Sequence, residues 1–112
     1  MKKPIVVIES PLAGDVERNV RYLKACIRDS LLRGEAPMAS HGLYAQPGIF
    51  DDANAEERKI GMEAGWAFYH VPNALCAVYK DLGYSNGMLE GVKYAKSRGV
   101  AVVERTLAGW AS

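Results

Sequence analysis

The stretch PIVVIESPLAGD, residues 4–15, sets the expectation for the whole fold. Its first half is a continuous run rich in β-branched residues, the pattern of a strand that is buried on both faces. The segment PLAGD then breaks the strand, and a helix is predicted from about Asp15 to Arg33, with Gly34 placed to end it. The apolar residues of this helix recur at helical spacing: Val16, Val20, Leu23, Ile27 and Leu31.

Strand and helix patterns alternate along the rest of the chain. Strands are predicted at 35–40, 74–80 and 100–105, and helices from Asn54 to about Tyr69 and from Ser85 or Asn86 to about Arg98. Residues 41–53 are predicted to form a long loop, which makes them a candidate lid. This alternation predicts an α/β three-layer sandwich, in which a four-stranded parallel sheet of order 2-1-3-4 carries helices on both faces.

The size and composition are those of one globular domain. The chain has 112 residues, of which 49% are hydrophobic and 24% charged, so a single domain is expected over residues 1–112. A net charge of +1 gives no electrostatic case for a nucleic-acid or membrane partner.

The N-terminal apolar run is too short for a signal peptide or a membrane span, so a cytoplasmic location is expected. Cys26 and Cys76 lack metal-site spacing and are expected to be buried free thiols, with no metal or other cofactor.

The predicted strand order places a ligand site between strands 1 and 3. The order reverses direction there, and open α/β sheets bind ligands at such a point, beyond the carboxyl ends of the strands. The two loops that meet at this point are ESPLAGD (9–15) and KDLGYSNG (80–87).

Neither GxGxxG nor GxxxxGK[ST] occurs, which excludes a standard dinucleotide fingerprint and a P-loop. The candidate ligand-binding residues from the residue types are Ser10, Gly14, Asp15, His41, Asp81, Ser85, Asn86 and Gly87. Ordinary turn and N-cap chemistry, and a structural histidine, remain the alternative interpretation.

Four segments together resemble the nucleoside 2-deoxyribosyltransferase-like families: IESPLAGD (8–15), SHGLYAQP (40–47), DDANAEERKIGMEAG (51–65) and YSNGMLEGVKYAKSRGVAV (84–102). The likeness is to their small, stand-alone members from phage and prophage, and it extends from Ile5 to about Val103. It implies a Rossmann-like sheet, a nucleoside or nucleotide ligand, and a homodimer or higher homo-oligomer. Within the resemblance, Ser10, Pro11 and Gly14 match the first-loop position, and Ser85, Asn86 and Gly87 match the turn that faces the sugar or phosphate.

The resemblance also implies a catalytic carboxylate, which this chain places differently. The family's enzymes cleave the N-glycosidic bond through a glutamate four residues after the turn glycine. Here Gly91 occupies that position, and Glu90 precedes it by one residue. One residue turns a helical side chain by about 100°, so Glu90 is a displaced candidate nucleophile that also suits an ordinary first-turn carboxylate. The other carboxylates that could substitute are Glu9, Asp15, Glu63 and Asp81.

Three functions follow as hypotheses. The first is a nucleoside- or nucleotide-binding protein that holds its ligand, for example a phage protein that sequesters an ADP-ribose-like signal, rather than turning it over. The second is an N-glycoside hydrolase or deoxyribosyltransferase, for which Glu90→Gln is expected to abolish base release while binding survives. The third is a protein-interaction module with a vestigial pocket, which would show no stabilisation by nucleotide.

Overall fold

The structure, a computed structural model that describes residues 2–110, is an all-parallel four-stranded sheet with helices packed on it. The strands are β1 (Ile5–Glu9), β2 (Ala36–Met38), β3 (Leu75–Tyr79) and β4 (Ala101–Arg105). They lie in the order β2-β1-β3-β4, so the predicted topology is confirmed. The order reverses between β1 and β3, where the register pairs Glu9 with Val78.

Four α-helices connect and flank the strands. They are α1 (Val16–Leu32), α2 (Ser40–Leu43), α3 (Ala55–Trp66) and α4 (Asn86–Ser97). The prediction that residues 41–53 are entirely loop is wrong at its start, because α2 extends through Leu43. The helix predicted to reach Tyr69 is α3 followed by a 3₁₀ turn at Ala67–His70.

The sheet buries side chains on both faces, as the β-branched run predicts. Val6 and Ile8 pack against α1, where they join Tyr22 and Cys26 in one apolar cluster. Successive residues of a strand point to opposite faces. Val7 accordingly belongs to a second cluster with β3 and α4. Helices therefore cover both faces of the sheet, which completes the predicted three-layer arrangement.

Helix α1 buries only part of the apolar stripe that its sequence suggests. Its buried residues are Asn19, Tyr22, Leu23, Cys26 and Ser30. The buried Asn19 amide donates to the carbonyl oxygens of Leu12 and Ala13 at 2.9 and 3.1 Å, so its polar group is satisfied. Val16 and Leu31, by contrast, are 51% and 52% exposed. The two ends of the apolar stripe are therefore left uncovered, whereas Leu23 in its middle is buried.

Two further expectations can be compared with the fold. Cys26 and Cys76 are both free and buried, as predicted. Within residues 2–110, no helix combines the length and the apolar character that crossing a membrane requires.

Candidate functional site

A polar cavity of about 660 Å³ opens at the carboxyl ends of β1 and β3, where the strand order predicts a ligand site. Its walls come from the loop after β1, α2, α3 and the first turn of α4. The predicted ligand-binding residues that line it are Ser10, Gly14, His41, Ser85, Asn86 and Gly87. The structure thus gathers residues from three separate segments of the chain into one cavity.

Ser10 and His41 form a hydrogen-bonded pair in this cavity. The Ser10 Oγ and His41 Nε2 atoms are 2.7 Å apart. His41 is carried by α2, which lies close to α3 because Gly65 has no side chain: a Cβ there would lie 2.5 Å from the Cβ of Ser40. Burial lowers the pKa of His41 to about 4. His41 is therefore neutral near pH 7, and the pair offers uncharged hydrogen-bonding groups to a ligand.

Glu9 places a carboxylate in the cavity, against the bare backbone of Gly91. A Cβ at position 91 would lie 2.5 Å from Cδ and 2.6 Å from Oε1 of Glu9, so the carboxylate fills the space that a side chain would need. The hydroxyl of Tyr69 donates to Oε2 of Glu9 at 2.6 Å. Burial raises the pKa of Glu9 to about 7, although the hydrogen bond from Tyr69 opposes that shift. Both protonation states are accordingly populated near neutral pH.

Two carboxylates therefore lie at the cavity, at different depths. Glu9 lies against Gly91, the position at which the resemblance expects a glutamate, whereas Glu90 is exposed on α4 and also contributes to the wall. In the sequence, Glu9 is one of several carboxylates that could replace the expected glutamate, and its spacing does not single it out. Two features of the sequence point to Glu9. It lies on the same face of β1 as Val7, and Gly91 on α4 leaves space for a side chain on that face.

Arg58 is a cavity residue that the sequence did not reveal, because the run EERK is typical of a solvent-exposed helix face. Its Nη2 atom lies 3.2 Å from the place that a Cβ of Gly87 would occupy. Its Nε atom is 4.0 Å from Oδ1 of Asp52, a long ionic contact. The guanidinium thus lies beside the first turn of α4, where Ser85 caps the helix by accepting from the Met88 amide. A cation beside a helix N-terminus favours an anionic group.

The remaining predicted residues, Pro11, Asp15 and Asp81, do not line the cavity. Asp15 caps α1 and accepts from the Arg18 amide at 3.1 Å. Oδ2 of Asp81 accepts from the Tyr22 hydroxyl at 2.5 Å and from the Leu107 amide at 3.0 Å, which ties the segment after β4 to α1. Pro11 is buried. The geometry gives Asp15 and Asp81 structural roles and brings neither into contact with the cavity.

The comparisons with known proteins match the chain to a family without a described function. Residues 4–105 match the model of a domain of unknown function, DUF7768. No curated protein matches the chain. The match covers all four strands and every residue of the cavity named above. The chain therefore belongs to the DUF7768 family.

Proposed function

We propose that this protein binds a nucleoside or nucleotide in the cavity at the carboxyl ends of β1 and β3 and holds it intact. The main observation in support is that three kinds of polar group converge there. They are the Glu9 carboxylate, the neutral Ser10–His41 pair and the Arg58 guanidinium beside α4. The cavity of about 660 Å³ lies in the range of small-molecule sites, roughly 300–1,000 Å³.

Each group suits a different part of such a ligand. A carboxylate accepts hydrogen bonds from sugar hydroxyls, so Glu9 is assigned to the ribosyl group. Ser10 and His41 can donate or accept and fix its orientation. Arg58 and the free amides at the start of α4 suit a phosphate, because charge-assisted hydrogen bonds to guanidinium and helix N-termini are strong.

The test offers purified protein a mixed pool of nucleosides, nucleotides, NAD and ADP-ribose, followed by desalting, denaturation and mass spectrometry. We expect an intact nucleotide to be retained. Arg58→Ala should release the phosphorylated ligands, whereas the matched variant Arg21→Ala, on exposed α1 surface, should retain them. If the wild-type protein retains nothing and millimolar nucleotide leaves its melting temperature unchanged, nucleotide binding is wrong and the interaction-module hypothesis replaces it.

A second candidate function, cleavage of an N-glycosidic bond, is supported by the position of Glu9 against Gly91 and by its hydrogen bond from Tyr69. In this reaction the ionised Glu9 carboxylate bonds to the anomeric carbon while the carbon–nitrogen bond breaks. The base leaves with that electron pair and takes a proton from water, which leaves a hydroxide ion. A second water molecule then attacks the anomeric carbon, displaces the carboxylate and gives its proton to that hydroxide, which yields the free sugar.

The matched variants Glu9→Gln and Glu90→Gln separate these two functions. If the protein is a glycosidase that uses Glu9, free base accumulates with wild type and Glu90→Gln and is absent with Glu9→Gln. Base release that depends on Glu90 instead would return the role to the exposed carboxylate on α4. Retention of intact nucleotide without free base supports the binding function.

A further inference from the structure

The polar cavity adjoins an apolar groove of about 1360 Å³ that lies between α1 and residues 45–53. The two spaces share Leu12, Ala13, Gly14, His41 and Asp52 as wall residues. His41 of the Ser10–His41 pair is thus at their junction. A ligand whose sugar is held by this pair therefore has the groove directly beside it.

The α1 wall of the groove is formed by apolar residues at helical spacing, of which Leu23 also belongs to the core and Val16 is exposed. Val16, Val20, Leu23 and Ile27 line it at spacings of four, three and four residues, which span about 16 Å along the helix. Ile49 and Phe50 line the groove from the 45–53 segment. Val16 and Ile49 are 51% and 52% exposed, so aliphatic surface is open on both sides. Exposed apolar surface of this kind, continuous with a polar cavity, is typical of a ligand site.

We propose that this groove takes the base of a nucleotide whose sugar lies in the polar cavity. The proposal rests on the proposed function and adds the place of the base and the side chains that contact it. A nucleobase has two broad apolar faces and polar edges. The aliphatic walls match the faces, and Lys24 and Gln46, which also line the groove, carry groups that can hydrogen-bond the edges.

The experiment is a calorimetric titration of AMP and, separately, of ribose 5-phosphate. Wild-type protein should bind AMP at least tenfold more tightly than ribose 5-phosphate. Val20→Trp fills the groove and should lower the affinity for AMP at least tenfold while changing that for ribose 5-phosphate by less than twofold. Leu32→Trp is the matched control, because Leu32 is 74% exposed at the far end of α1, and it should change neither affinity.

If Val20→Trp does not fold, Ile49→Ser in the opposite wall of the groove replaces it in the titrations of AMP and ribose 5-phosphate. Equal affinities of wild type for the two ligands, or an unchanged AMP affinity in the groove variants, would overturn the use of the groove and leave the cavity proposal standing. If neither ligand binds wild type, both proposals fail. A wild-type dimer that Val20→Trp dissociates would make the groove an interface between two copies of the chain, which also overturns the inference.

Discussion

At Glu9, a carboxylate is held in surroundings that oppose its ionisation. Its pKa is about 7 in the folded protein, compared with 4.5 for the free group, because burial disfavours the charge. Between these two pH values the native state binds more protons at Glu9 than the unfolded state does. The contribution of Glu9 to the free energy of unfolding therefore falls as the pH rises from about 4.5 to about 7.

Glu9→Gln should consequently stabilise the protein at high pH while weakening ligand binding. We expect the melting temperatures of wild type and variant to be similar at pH 5 and to differ by on the order of 5 °C at pH 8, the variant being higher. The pH profile of wild type alone is not enough, because His41 acts in the opposite direction. Its pKa is 6.5 as a free group and about 4 in the folded protein, so its contribution to the free energy of unfolding rises between these two pH values. Parallel profiles of melting temperature against pH for the two proteins would show that Glu9 is not ionised in a buried site.

Along α4, two glycines four residues apart have different neighbours. A methyl group at Gly87 would meet the flexible end of Arg58, whereas one at Gly91 would meet the Glu9 carboxylate. Gly91→Ala should therefore destabilise the protein by about 1–3 kcal/mol through overpacking, although alanine favours a helix. Gly87→Ala is the control and should leave the stability unchanged or slightly higher. Urea denaturation measures both, and a Gly91→Ala variant as stable as Gly87→Ala would contradict the close contact with Glu9.

Because Glu9 on β1 and Gly91 on α4 are in contact, the carboxylate can be moved from one element to the other. If the cavity needs a carboxylate in this space, Glu9→Ala and Gly91→Glu should each impair ligand retention in the mass-spectrometric assay. The first removes the group, and the second crowds it. The double variant restores one carboxylate to the space and should recover retention. A double variant no better than the worse single variant would show that the geometry of β1 itself is required.

At the scale of elements, the sequence predicted each strand and most of α1, α3 and α4, because strand runs and helical spacing are local patterns, but it missed the short helix α2. It could not identify which face of α1 packs on the sheet. Asn19 and Ser30 are buried there only because each finds a hydrogen-bond partner, the Leu12 and Ala13 carbonyls for Asn19 and Glu35 for Ser30. Such pairings depend on the tertiary structure, so the apolar stripe alone misplaces the buried face.

Across the whole molecule, the position of the cavity was predictable and part of its chemistry was not. The strand order follows from alternating segments and right-handed crossovers, and it fixes where the loops after β1 and β3 meet. The contact of Glu9 with Tyr69, sixty residues away, and the placement of Arg58 beside Gly87 depend on how α3 and α4 dock. No local pattern distinguishes Arg58 from its charged neighbours on α3.

A buried ion pair links the two edges of the sheet, away from the cavity. Arg105 at the end of β4 donates to both oxygens of Glu35, before β2, at 2.8 and 2.7 Å, and the two side chains are 9% and 12% exposed. Arg105→Met leaves the carboxylate buried without its cation and should lower the free energy of unfolding by about 3 kcal/mol. Arg21→Met, which breaks an exposed pair with Glu17, should cost under about 1 kcal/mol. Equal losses in urea denaturation would show that the pair is not buried in solution.

The most direct test of nucleotide binding at this cavity is a ¹⁵N–¹H spectrum of the protein titrated with AMP. We predict that the backbone amides of Ser10, Gly14, His41 and Gly87 shift progressively and saturate, because all four residues line the cavity. Gly34 and Gly99 follow the C-terminal ends of α1 and α4, away from the cavity. Their amide signals should not shift. Saturable shifts confined to the cavity would support the account. A spectrum unchanged at millimolar AMP, or shifts centred on Gly34 and Gly99, would contradict it.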